Sequence, residues 1–141
     1  MTKDKKKSAG PVAKQHESNR QKKKTEVSSG KVFVNATFNN TLATLTDEAG
    51  NVLVWGSSGR AGFKGTRKST PYAATTAVEQ ILKKGKESFG LKSVDVYLRG
   101  PGPGRDAALR VIKNSGLHMG LIADVTGIPY NGPRAKKKRR V

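Results

Sequence analysis

Residues 70–99 read TPYAATTAVEQILKKGKESFGLKSVDVYLR, and this stretch decides the fold because a helical pattern gives way to an extended one within it. Thr70 is an N-cap residue with Pro71 at the first helical position. Ala74, Ala77, Val78, Ile81 and Leu82 follow at helical spacing, which predicts a helix that frays near Gly85 and finishes by Gly90. SVDVYLR (93–99) then alternates, burying Val94, Val96 and Leu98 as a strand. Downstream the pattern recurs: Gly100 to Gly104 lead into a short helix from Arg105 to about Ser115, ended by Gly116, and Leu117, Met119, Leu121, Ala123 and Val125 mark a last strand. Upstream, KVFVNATF (31–38) sets Val32, Val34, Ala36 and Phe38 on one face, Asn39-Asn40 turns, and TLATLTD (41–47) and NVLVWGS (51–57) supply two further strands. The expected architecture is α/β: one domain with a βββαβαβ order, a mixed sheet and two helices.

That order has a geometric consequence. If the first three strands form a meander and the helices are crossovers, the last two strands run parallel to the first and third. Their carboxyl ends then share one edge, where open α/β sheets bind ligands. The 38–41 turn, both helix-leading loops and the exit of the C-terminal tail gather there, while the N-terminal arm enters from the opposite side.

Charge names the class of ligand. The chain has 141 residues and a formal charge of +18. Residues 1–30 hold nine Lys/Arg against Asp4, Glu17 and Glu26, a net +6, and their few branched aliphatics predict a disordered basic arm. Residues 131–141 carry Arg134, Lys136, Lys137, Lys138, Arg139 and Arg140 with no acid, a second +6, and residues 31–130 supply the rest. Such a distribution calls for a polyanion, and nucleic acid is the candidate. Composition does not separate RNA from DNA, so a free nucleic-acid chaperone or DNA-compacting protein stands as the alternative. No stretch approaches a membrane span, and the N-terminus lacks the apolar run of a secretion signal, so no membrane is expected and the cytoplasm is the expected compartment. Without cysteine there is no disulfide, thiolate zinc site or cysteine nucleophile.

GSSGRAGFKGTRKST (56–70) contains Arg60, Lys64, Arg67 and Lys68, four glycines and no acid, a composition that suits close approach to phosphates. Gly65, Thr66 and Ser69 add backbone access and hydroxyl donors ahead of a helix N-terminus. Phe63 either stacks on a base or folds back onto the sheet. GPGPGR (100–105) repeats the theme with Gly102, Gly104 and Arg105, and Asp106 complements the dipole of the following helix. By contrast, Lys83, Lys84 and Lys86 read as a solvated helix face.

Catalysis is not expected. A nucleotide-binding loop needs Lys-Ser/Thr after its glycines, and Arg105-Asp106 stands there instead. The strand order resembles that of ribonuclease-H-like nucleases, which cluster carboxylates on metal ions, yet the first strand has Asn35 and no acid. Asp47 and Asp95 fall near the edge away from Asp124. His16 lies in the arm and His118 near a strand start, leaving no nucleophile-base-acid set.

Five spaced blocks sharpen the reading: ATFNNT (36–41), TDEAGN (46–51), GFKGTRKSTPYAA (62–74), GPGPGRDAALR (100–110) and IADVTGIPYNG (122–132). Together they resemble the family of the eleventh protein of the small ribosomal subunit, in its bacterial form, over residues 31–141. The resemblance implies a ribonuclease-H-like fold without its active site, no cofactor, and a place on the subunit platform that bridges rRNA helices and lines the messenger exit cleft. Implied neighbours are ribosomal proteins six, seven and eighteen, messenger RNA and initiation factor three. Carried over by position, the RNA-facing blocks are Asn39, Asn40 and Thr41, Gly62 to Ser69, Gly100 to Arg105, and the tail with Tyr130 and Asn131. The chain departs from the family pattern at Gly127, Tyr130 and Pro133, and Tyr130 could stack on a base where the family has histidine.

Overall fold

A computed structural model describes residues 26–137. The N-terminal hairpin forms because alternate residues of two segments are apolar and a polar turn separates them. Strand β1 (Ser29–Ala36) pairs antiparallel with β2 (Thr41–Asp47), setting Val32 opposite Leu45 and Val34 opposite Ala43, all fully buried. The turn closes on Thr37, whose N–H donates to the Asn40 carbonyl at 2.9 Å and whose Oγ1 accepts from the Asn40 N–H at 3.1 Å. A second turn, in which Asp47 accepts from both the backbone and the side-chain amide of Asn51, leads into β3 (Val52–Ser57). These amide bonds hold the Asp47 carboxyl below its ordinary value.

Helix α1 (Pro71–Phe89) begins where the sequence predicts, with Thr70 Oγ1 accepting from the Ala73 N–H at 3.3 Å and Pro71 at its first position. It does not fray at Gly85. Gly85 is buried, and a Cβ there would stand 2.6 Å from Leu45 Cδ2, so glycine permits the helix to lie close on β2. The helix ends at Gly90, in the left-handed region at φ 71°, whose N–H donates back to the Lys86 carbonyl. β4 (Ser93–Arg99), α2 (Gly104–Asn114) and β5 (His118–Asp124) complete the chain.

The five-stranded sheet has the order β3-β2-β1-β4-β5, with β4 parallel to β1 and β5 parallel to β4, as the element order requires. Both helices lie on one face. The core joins Val32, Val34, Leu45, Val94 and Val96 of the sheet to Val78, Ile81 and Leu82 of α1 and Ala108 and Ile112 of α2. The opposite face, bearing Phe33, Asn35 and Tyr97, has no covering layer among the described residues.

Four further local expectations change. Strand β1 starts at Ser29, inside the segment read as the arm, because the Ser28 carbonyl accepts the N–H groups of Lys92 and Ser93. Phe38 does not join the buried face; it lies in the turn, 69 % exposed, since pairing ends at Ala36. The last strand does not alternate to its end. A bulge puts Val94 opposite Met119 but Val96 opposite Ile122, with Asp95 Oδ1 accepting the Leu121 N–H at 3.0 Å, so Leu121 leaves the face that Met119 shares with the core. Lys86 is not a solvated cation: its ammonium donates to the Ser115 carbonyl at the end of α2. Residues 1–25 of the expected arm, and 138–141 of the expected tail, lie outside the described residues.

Candidate nucleic-acid interface

The carboxyl ends of β1, β3, β4 and β5 share one edge, as the parallel pairings dictate, and hydrogen bonds tie its loops together. The Ser58 N–H donates to the Thr41 carbonyl at 3.0 Å, which fixes the first loop to the β1–β2 turn. Gly102 donates to the Ala36 carbonyl at 2.9 Å, which fixes the second. The chain enters at the far edge, where the Val27 N–H donates to the Phe89 carbonyl.

The first loop exposes its charge. Arg60, Lys64, Gly65, Thr66 and Arg67 are exposed, while Lys68 and Ser69 are half-buried. Residues Gly65–Ser69 are not irregular but form a single 3-10 turn, in which the Ser69 hydroxyl donates to the Thr66 carbonyl and the Thr70 hydroxyl to the Arg67 carbonyl, both at 2.7 Å. This turn holds Arg67 and Lys68 immediately before the N-terminus of α1, with no acidic residue in either first turn. Phe63 is half-buried and meets the Tyr72 ring edge-on, centroids 5.8 Å apart. An open hollow beside it is lined by Ala61, Gly62, Lys64 and Arg67.

The second loop turns inward. Gly102 and Gly104 are buried, and a Cβ on Gly102 would lie 2.3 Å from the Thr37 carbonyl oxygen, one on Gly104 2.2 Å from Thr41 Oγ1. These glycines let the loop pack closely against the β1–β2 turn. Thr41 is buried with them at 1 % exposure, whereas Asn39 is exposed and Asn40 half-buried. Arg105 is also committed to the protein. Its guanidinium donates to the Gly100 carbonyl at 2.8 Å and pairs with Asp124, joining the start of α2 to the end of β5. The Thr126 hydroxyl and amide, with Arg105, stabilise the Asp124 carboxylate and lower its pKa to about 2.

The tail leaves this edge through Val125, whose N–H donates to the Leu98 carbonyl at 2.8 Å. Tyr130 stands 97 % exposed, Asn131 adopts φ 55°, and Arg134, Lys136 and Lys137 are exposed. Lys138, Arg139 and Arg140 lie outside the described residues. The edge therefore brings together Arg60, Lys64, Arg67, Lys68 and the described tail cations. Sequence reasoning passed over Trp55, which carries the Arg60 guanidinium 4.7 Å from its ring centroid, and Thr126, which braces the second loop through the Gly100 N–H. The signal for Trp55 was an aromatic at an odd position of a strand whose even positions face α1.

Among the described residues no three His, Asp or Glu side chains gather as a metal site, and no helix is long and apolar enough to cross a membrane. Residues 30–140 match the protein family described as Ribosomal protein S11. The chain is also 52 % identical over 120 residues to the small ribosomal subunit protein uS11 of Thermosipho africanus, covering 85 % of this chain and 92 % of that one. A match of this length takes in the whole folded body and its basic edge, and the chain belongs to the ribosomal protein S11 family.

Proposed function

We propose that this chain binds rRNA on the platform of the small ribosomal subunit, bridging rRNA helices with its basic edge and tail and lining the cleft through which messenger RNA leaves. Membership of the ribosomal protein S11 family makes it a non-enzymatic structural constituent of the small subunit, located in the ribosome, bound to rRNA and to other ribosomal proteins. The observation that carries the finer reading is the concentration of exposed cations, Arg60, Lys64, Arg67 and the tail, at the edge where four strand ends meet. Phosphate contacts of this kind fix orientation without reading bases, which suits a protein that holds helices in place. In this placement Asn39, Asn40, Ser69, Tyr130 and Asn131 flank the cations, and Thr41, Gly102, Gly104 and Arg105 shape the edge beneath them. Ribosomal proteins six, seven and eighteen are the proposed protein neighbours, with initiation factor three as a transient one.

The test is reconstitution of small subunits from purified parts. Arg67→Ala with Lys68→Ala should reduce incorporation more than Lys83→Ala with Lys84→Ala, which removes equal charge from the helix face. The reverse order would place the rRNA on the other side of the molecule.

A further inference from the structure

The sheet face turned away from the helices has an aromatic middle row. Register sets Trp55, Thr44, Phe33 and Tyr97 side by side across β3, β2, β1 and β4. Phe33 and Tyr97 stack with centroids 5.0 Å apart and planes 16° from parallel, while Phe33 and Trp55 remain 39 % and 55 % exposed. Aromatic surface of this kind, left in water on a folded protein, marks a contact surface. In the next row toward the carboxyl edge stand Asn35 and Arg99. Among the described residues the ion pairs are Lys83–Glu87 and Arg105–Asp124, so Arg60 and Arg99 have no carboxylate partner there. The carboxylate on the open face, Asp95, is engaged by the β5 bulge.

Charge selects what covers the row. The chain's own N-terminal segment, residues 1–25 with nine Lys/Arg against Asp4 and Glu17, and a second copy of the +18 chain would both set like charge against Arg60 and Arg99. A polyanion meets no such repulsion. Among polyanions, flat rings with amide and hydroxyl groups beside them suit exposed bases, since every base presents a π-face whereas a duplex hides its own. The geometry points to an unpaired RNA strand on the open sheet face, its bases stacked on Trp55, Phe33 and Tyr97 and its phosphates beside Arg60 and Arg99. Both arginines stand at the carboxyl edge, so a strand leaving a helix held there runs directly onto the sheet. The inference rests on the RNA reading of that edge and adds a ligand class to it: single-stranded nucleotides recognised by stacking.

Trp55 is the chain's single tryptophan, so its fluorescence reports on this face and on the Arg60 guanidinium over its ring. The full-length protein is titrated at fixed salt with an oligouridylate of about twelve nucleotides, an RNA hairpin, polyphosphate and an acidic peptide. The oligouridylate should quench Trp55 more strongly than polyphosphate of matched charge does. Phe33→Leu with Tyr97→Leu should weaken the oligouridylate about tenfold or more and change hairpin affinity by less than about twofold. Thr44→Glu sets a carboxylate in the same row and should give the same selective loss, which covers the case in which the leucine pair does not fold. Equal quenching by polyphosphate, unchanged oligouridylate affinity in these variants, or tighter binding of the acidic peptide than of the oligouridylate overturns the proposal. Hairpin binding that survives Arg67→Ala with Lys68→Ala would instead strike at the edge reading and leave the stacking result standing.

Discussion

The two loops that precede α1 and α2 are alike in sequence and opposite in orientation. Each combines glycines with arginine ahead of a helix, yet the first points its cations outward and the second turns both its glycines and its arginine into the protein. The difference lies in what each loop meets. The Gly100–Gly104 segment runs across the backbone of the β1–β2 turn, where no side chain fits, and Arg105 finds Asp124 at the end of the neighbouring strand. The longer first loop is pinned at Ser58 and carries its charge on a 3-10 turn beyond that point. A cationic loop thus keeps its charge exposed only where the fold leaves that charge unmatched.

This contrast can be broken experimentally, most severely at Gly102. Gly102→Val drives a side chain into the Thr37 carbonyl and should lower stability by about 3 kcal/mol or more in urea denaturation, whereas Gly59→Ala in the first loop, meeting only the Lys68 and Ser57 side chains, should cost far less. Next in size is the salt response. If the edge and tail neutralise about six phosphates, rRNA-fragment affinity should fall about a thousandfold between roughly 50 and 200 mM salt, and Arg67→Ala with Lys68→Ala should flatten the log-log slope by about 2. Arg105→Ala should do the converse, lowering the unfolding midpoint while leaving that slope within about 0.5 of the parent; a slope reduced by a full phosphate would show that Arg105 is shared with RNA. The smallest effect belongs to acid. Asp124 has its pKa depressed from 3.8 to about 2, so the stability it contributes is fully present above 3.8 and is lost as pH falls through about 2. Denaturation midpoints followed from about pH 5 to 2 should therefore fall more steeply in the parent than in Asp124→Asn, which has no proton to gain there.

Much of the fold was legible because short-range patterns and long-range packing agree in it. The Thr70-Pro71 start of α1 and the alternation of 93–99 describe what the structure contains, and the strand order follows from the alternation of elements. Where expectation and structure part, a contact distant in sequence decides. Asp95 draws Leu121 into a bulge that no periodicity within β5 foretells, and Ser115 captures Lys86 from another helix. At the candidate site the location of the basic edge was readable from topology and charge, because both are properties of whole segments. The division between outward Arg67 and inward Arg105 was not, because it depends on Asp124 standing beside one and no acid beside the other.

The central place of β1 carries a consequence for synthesis. Its partners are unequal in reach: Phe33 lies opposite Thr44 in the adjoining hairpin strand, and opposite Tyr97 far along the chain. While the chain emerges from its N-terminus, the three-stranded meander can form early, but one whole edge of β1 stays without hydrogen-bond partners until Arg99 has been made. Nascent β1 is therefore an open template in the middle of the future sheet. The residues just before it are strongly basic, and like charge of this kind opposes the approach of a second copy's strand during that interval.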